Sequence, residues 1–230
     1  IVYVLEVNPR ASRTVPFISK AMGIPLAKIA AKVMVGRTLA ELGYDLNAQP
    51  KYIAVKEPVF PFNKFPQTKI FLGPEMRSTG EVMSIASGYG EAIAKAVLAA
   101  GGNLPSTGGV FFSVNNNDKN VRMIETARGF LETGFTLYAT RGTSLFLTQN
   151  NIANTMIYKA NEGRPNVVDY IKNGDILVVI NTPLGEVSRF DEQAIGKAAL
   201  EEGRFVITSV SGAAAALKAV RWYRSEKGDV

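Results

Sequence analysis

Near the start of the chain a carboxylate and a carboxamide, Glu6 and Asn8, stand two residues apart, followed by two guanidinium groups, Arg10 and Arg13. On an extended segment residues i and i+2 project to the same face, so Glu6 and Asn8 can bring their oxygens to one hard cation. The arginines suit the phosphates of a nucleotide whose charge that cation also neutralises. An ordinary reading stands beside this one, with Glu6 capping a helix or pairing with Arg10. A second group lies further on, where Thr140-Arg141-Gly142-Thr143 directly follows an apolar run. Two hydroxyls and the amides that open a helix can receive a phosphate there. Lys119 and Lys159 can add cationic contacts, and Asn181-Thr182 completes a rim after another apolar run. Taken singly, Thr140 and Thr143 read as helix caps, Lys119 as a solvated charge and Asn181 as a turn former. Taken together, they converge at the ends of successive strands.

Composition narrows the chemistry these residues can join. The 230 residues contain neither His nor Cys. Imidazole acid-base work, Ser-His-Asp triads, thiol catalysis, disulfides and cysteine-based zinc sites are therefore excluded. Carboxylates, Lys, Arg, hydroxyls and backbone amides remain. Hydrophobic residues make up 47% and charged residues 20%, as in a folded globular chain. No apolar run approaches the roughly 18 residues of a membrane helix, and no secretory leader is read, so a cytoplasmic location is expected. The net charge of +6 is uneven: residues 1–108 hold 12 basic against 7 acidic side chains, and residues 109–230 hold 14 against 13. The cations of the first part are dispersed and accompany no nucleic-acid-binding motif, so small phosphorylated ligands are the better match.

The elements that must position these groups follow from periodicity. Ile1 to Leu5 reads as a buried strand opening the chain, and its position suggests a piece of a longer protein. Leu26 to Met34 has the spacing of a helix with one buried face, ending near Gly36. Strands are expected at 52–56 and 81–85 and a helix at 91–100, within an α+β first domain of residues 1–100. Residues 101–108, rich in Gly and Pro, read as a linker. Beyond them, apolar runs at 109–114, 135–139, 154–158, 176–180 and 205–208 alternate with helical segments. Runs without polar alternation predict parallel strands covered on both faces, hence an α/β, doubly wound five-stranded sheet over residues 109–230. Such sheets bind ligands beyond the carboxyl ends of their strands.

The string Glu6-Val7-Asn8-Pro9-Arg10-Ala11-Ser12-Arg13-Thr14-Val15-Pro16-Phe17 resembles the last metal-binding strand and following loop of the second ATP-grasp module in carbamoyl phosphate synthetase large subunits. The resemblance continues through residues 56–65 and 72–83, including Pro74-Glu75-Met76-Arg77-Ser78-Thr79-Gly80. There a structural tie between Arg77 and Glu75 is expected. Residues 109 to about 220 resemble the same family's allosteric domain, which shares its fold with methylglyoxal synthase. The resemblance implies a fold of two parts, the C-terminal portion of an ATP-grasp domain and a methylglyoxal-synthase-like domain. It further implies that Glu6 and Asn8 ligate Mg²⁺ or Mn²⁺ and that Arg10 and Arg13 act catalytically on nucleotide or intermediate. Lys119, Thr140, Thr143, Lys159, Asn181 and Thr182 would hold the phosphate of an effector such as UMP or IMP. Glu57 and Thr208 would meet an amino-acid effector, although Glu57 also reads as a surface partner of Lys56. Glu162-Gly163-Arg164-Pro165 is family-like as well, with Pro165 suited to a first helical turn.

The activity implied is that of an ATP-dependent, glutamine-hydrolysing ligase making carbamoyl phosphate from bicarbonate, glutamine-derived ammonia and ATP, for pyrimidine and arginine biosynthesis. Its expected partners are the remainder of the large subunit, a glutaminase small subunit and, as a homo-oligomer, further copies. Nucleic acid and membranes are not expected partners. Two other readings are a stand-alone nucleotide-monophosphate sensor and a methylglyoxal-synthase-like lyase, the latter disfavoured because its catalytic His has no counterpart. The glycine-rich phosphate loop, Lys and further Glu of an ATP-grasp site have no match here, and no Walker-type motif replaces them. These 230 residues alone are thus expected neither to hold ATP tightly nor to hydrolyse it. A phosphate-release assay on a contaminant-free preparation checks this, and measurable turnover refutes it.

Overall fold

In the computed structural model, which describes residues 3–4, 7, 9–45, 47–60, 78, 80–182 and 189–227, the first part opens with three helices. These are α1 (Thr14–Met22), α2 (Leu26–Met34) and α3 (Leu39–Leu42). The amphipathic spacing of α2 turns Ile29 inward, where it is 4% exposed. A reciprocal cap starts α3: Thr38 Oγ1 accepts from the Glu41 amide and Glu41 Oε2 from the Thr38 amide. β1 (Ile53–Val59) and β2 (Gly80–Ala86) pair antiparallel with Lys56 opposite Met83, and α4 (Tyr89–Ala99) packs across them. The expected opening strand is not borne out at its described residues. Tyr3 and Val4 lie in no strand and are 76% and 79% exposed, with no neighbouring strand among the described residues to shield them.

The apolar runs of the later part become the strands of a single parallel sheet. They are β3 (Gly109–Ser113), β4 (Thr136–Ala139), β5 (Thr155–Met156), β6 (Ile176–Asn181) and β7 (Phe205–Ile207), in the order β5-β4-β3-β6-β7. Between and after them run α5 (Val121–Glu132), α6 (Arg141–Gln149), α7 (Val167–Asn173), α8 (Arg189–Glu201) and α9 (Val210–Lys227). The run expected at 154–158 gives the ladder only two residues, because it forms an edge where Thr155 and Met156 face solvent.

Successive residues of β3 feed opposite cores. Val110 and Phe112 join Leu137, Val178 and Ile180 beneath α5 and α9, whereas Phe111 joins Ile176 and Val179 beneath α7 and α8. Each fully buried Phe contributes about 1.5–3 kcal/mol of apolar transfer free energy. Double coverage removes the polar alternation from these runs. The segment 101–108, read as a linker, is anchored by Leu104, which is 2% exposed within the larger core. That same core includes Ala94 of α4, so the first part is packed directly onto the sheet domain.

The contact between α4 and α9 is close enough to require glycine. A Cβ built on Gly90 would lie 2.5 Å from the carbonyl oxygen of Lys218, which is backbone and cannot swing away. Gly90→Ala is expected to separate the two helices and cost about 1–3 kcal/mol, as overpacking does. A urea unfolding midpoint unchanged from wild type would show that the helices tolerate the methyl group.

Candidate functional site

The sheet reverses its winding at β3, whose neighbours β4 and β6 lie on opposite sides. The strand-to-helix connections therefore diverge there and leave a crevice beyond the carboxyl ends. A cavity of about 170 Å³ occupies that place, lined from β3 and its following turn, the start of α6, the loop after β5, the end of β6, and α8. All six residues of the sequence-derived rim, Lys119, Thr140, Thr143, Lys159, Asn181 and Thr182, line it.

Local structure explains how each arrives. Thr140 is the N-cap of α6, but its side chain makes no capping bond, so the ordinary reading accounts for its place and not for its hydroxyl. The main-chain amides of Arg141 and Gly142 open the same helix, where the helical ladder supplies no acceptor. Thr143, 1% exposed, turns inward from the first turn, and its Oγ1 accepts from the Val114 amide at 3.1 Å. That bond ties α6 to the end of β3. Thr182 leaves β6 with its amide on the Ser113 carbonyl at 3.0 Å, and its Oγ1 accepts from the Asn115 amide at 3.0 Å.

Lys119 is held by Asn116 Oδ1 at 2.8 Å and the Gly142 carbonyl at 3.0 Å, bridging the turn after β3 and the start of α6. Burial lowers its ammonium pKa below the usual lysine value, because desolvation disfavours the charged form. Lys159 is half-buried and forms no ion pair among the described residues. Its amide donates to Glu162 Oε2 at 2.9 Å, which folds the loop so that the lysine lines the cavity. An anion entering this space meets two ammonium groups, hydroxyls and a helix N-terminus.

Sequence reasoning missed Asp191 and Asn115. Asp191 is 8% exposed on α8, and its buried Oδ1 has no hydrogen-bond partner among the described residues. No motif marks it, because its proximity to the rim arises from the packing of α8 against the sheet. Asn115 had a weak local signal, an Asn-rich turn directly after a strand. It caps the 3-10 turn Asn116–Asp118 and also bonds Thr182.

The other sequence-derived residues fare differently. Glu6 and Asn8 lie outside the described residues, as do Glu75 and Arg77. Arg10 is exposed, and among the described residues its guanidinium reaches only the Ala11 carbonyl at 3.4 Å. Arg13 lines a second cavity of about 210 Å³ with Lys20, Lys56 and Glu81, between α1 and the β1-β2 pair. Lys56 pairs with Glu81 at 3.4 Å rather than with its neighbour Glu57. Glu57 and Thr208 line neither cavity. Pro165 stands ahead of α7 instead of in its first turn, because a reciprocal cap between Asn166 and Asp169 sets the helix start at Val167. Among the described residues no three acidic side chains cluster as metal ligands, and no helix is long and apolar enough to cross a membrane.

Comparison with known proteins adds two family matches. Residues 122–208 match the MGS-like domain, and residues 1–42 match the carbamoyl-phosphate synthase L chain, ATP binding domain. The chain is 53% identical over 226 residues to the carbamoyl phosphate synthase large chain of Archaeoglobus fulgidus, an alignment covering 98% of this chain and 21% of that protein. The corresponding large chain of Nostoc is 49% identical over 229 residues, covering 100% of this chain and 21% of the relative. That of Pasteurella multocida is 51% identical over 223 residues, with 96% and 21% covered. The chain thus spans about a fifth of the length of these relatives.

Glu57 carries a measurable consequence of its burial. Desolvation raises its carboxyl pKa above the ordinary value, so between the unfolded and folded values the native state binds more protons than the unfolded state. Stability attributable to Glu57 therefore falls as pH rises through that window. Glu57→Gln is expected to stabilise the protein at neutral pH, with the gain shrinking as pH falls through the raised folded value and gone below about 4.3, the unfolded glutamate value. Thermal melts of both proteins across this range check the sign, and a variant less stable at neutral pH would reverse it.

Proposed function

Starting from homology to a segment of carbamoyl phosphate synthase large chains, we propose that the cavity beyond β3 and β6 is an effector site for a nucleoside monophosphate such as UMP or IMP. The observation that supports this is convergence. Lys119, Thr140, Thr143, Lys159, Asn181 and Thr182 come from four strand ends and line one cavity at the sheet's switch point. Its cations, hydroxyls and helix-opening amides match the acceptor oxygens of a phosphate. Asp191 supplies what a bare anion does not need, a buried acceptor free to meet a ligand hydroxyl. A phosphate ester of a polyhydroxy compound satisfies both sets of groups.

In the larger protein this segment would serve a ligase that makes carbamoyl phosphate from bicarbonate, glutamine-derived ammonia and ATP in the cytoplasm. Residues 1–100 would complete an ATP-grasp module, residues 101–108 would join it to the regulatory part, and residues 109–230 would carry control. Arg10 and Arg13 would stabilise charge on the transferred phosphoryl group. Mg²⁺ or Mn²⁺ held by Glu6 and Asn8 would neutralise nucleotide phosphates. The remainder of the large subunit and a glutaminase small subunit would be the partners, and Glu57 and Thr208 would face a cationic amino-acid effector.

Calorimetric titration with UMP and IMP tests the effector site. Lys159→Ala is expected to weaken binding by roughly ten- to a hundredfold, corresponding to the ~1.5–3 kcal/mol of a charge-assisted hydrogen bond, without altering the melting temperature. No heat from either nucleotide with folded wild-type protein overturns the proposal, and unchanged affinity in the variant removes Lys159 from the site.

A further inference from the structure

We propose that Asn115 is a positioning residue that fixes the direction of the Thr182 hydroxyl, so that the cavity selects the doubly charged form of a phosphate monoester over its singly protonated form. This rests on the phosphate reading of the same cavity.

The orientation of Asn115 is determined by main-chain donors. Its Oδ1 accepts from the Asn117 amide at 2.9 Å and the Asp118 amide at 3.1 Å, and those amides can only donate. Nδ2 must therefore point the other way, and it lies 3.0 Å from Thr182 Oγ1, with its second proton on Asp118 Oδ2. The Asn115 amide is also 3.0 Å from Thr182 Oγ1. A threonine hydroxyl has two acceptor positions and one proton. Both acceptor positions are taken by Asn115, while Thr182, 4% exposed, donates to no acceptor among the described residues. The proton is its remaining hydrogen-bonding capacity at the cavity wall.

Lys119 is restricted in the same sense. Two of its three ammonium protons lie on Asn116 Oδ1 and the Gly142 carbonyl, leaving one. A P–O–H group finds no acceptor at either residue, whereas an ionised oxygen finds one donor at each. The charged groups on the elements packed around the cavity are Asp118 and Lys119 after β3, Arg141 on α6, Lys159 and Glu162 after β5, and Asp191 on α8. Asp118 loses its Asn115 Nδ2 partner in Asn115→Ser but keeps it in Thr182→Val, so the second variant separates its titration from the effect on Thr182, while the other charged groups are common to all three proteins.

The test is calorimetric titration of UMP into the full chain at about pH 7.5 and about pH 5, between which the doubly ionised fraction of a phosphate monoester falls roughly tenfold. Wild-type affinity is expected to fall by about that factor. Asn115→Ser keeps an oxygen for the two turn amides but has no Nδ2, so the freed Thr182 hydroxyl can accept from P–O–H. Its affinity should fall less than about threefold over the same interval. Thr182→Val, a second route should the first variant not fold, should bind more weakly at the higher pH and show a smaller fall than wild type. A pH dependence equal in wild type and both variants, or none in wild type, overturns the role of Asn115. Absence of binding by folded wild-type protein at both pH values instead removes the phosphate reading, and this inference with it.

Discussion

The central strand β3 is shielded from water on both faces, and the architecture of the later domain follows from that constraint. Val110, Phe111 and Phe112 are at most 1% exposed, so helices must cover both sides of the sheet. Polar groups are excluded along the strand's length and first become tolerable where it ends, at Ser113 to Asn116. The neighbouring strands obey the same rule, which places Thr140 after β4 and Asn181-Thr182 at and after the end of β6. A polar cavity at this edge is the counterpart of an apolar sheet.

The hydroxyls at that edge join the connections to one another as well as facing the cavity. Thr143 ties α6 to the amide after β3, and Thr182 ties the end of β6 to Asn115. Low exposure of these groups makes each bond costly to lose, since a buried donor left without a partner forfeits about 1–3 kcal/mol. The rim is held in shape before any ligand arrives. Asp191 is the exception, with a buried carboxylate oxygen that has no partner among the described residues. The glycine-mediated contact between α4 and α9 joins this domain to the β1-β2 pair. Its close backbone approach makes the first part a packed neighbour of the five-stranded sheet and its helices.

Legibility in the sequence varied with the source of each signal. Apolar runs located β3, β4, β6 and β7 closely, because burial of the strands leaves a local record. The weak edge strand β5 left a longer run than the ladder uses, since Ile157 is buried beyond the pairing while Thr155 and Met156 face water. Tyr3 and Val4 misled, because an apolar run records a preference for burial and cannot specify a neighbour to provide it. Pro165 misled for a related reason. A proline tolerates the first helical turn, but the side-chain cap from Asn166 and Asp169 decided where α7 began.

The sequence by itself determined the alternation of strands and helices, the absence of imidazole and thiol chemistry, and the six polar residues that follow the strands. These are properties of residue type and short-range spacing. Only the tertiary structure decided that the six share one cavity, that Asp191 joins them from a distant helix, and which way the Asn115 carboxamide and hence the Thr182 proton must point. Directions and meetings of this kind depend on strand order and on hydrogen bonds between residues as far apart as 115 and 182. No local pattern encodes them.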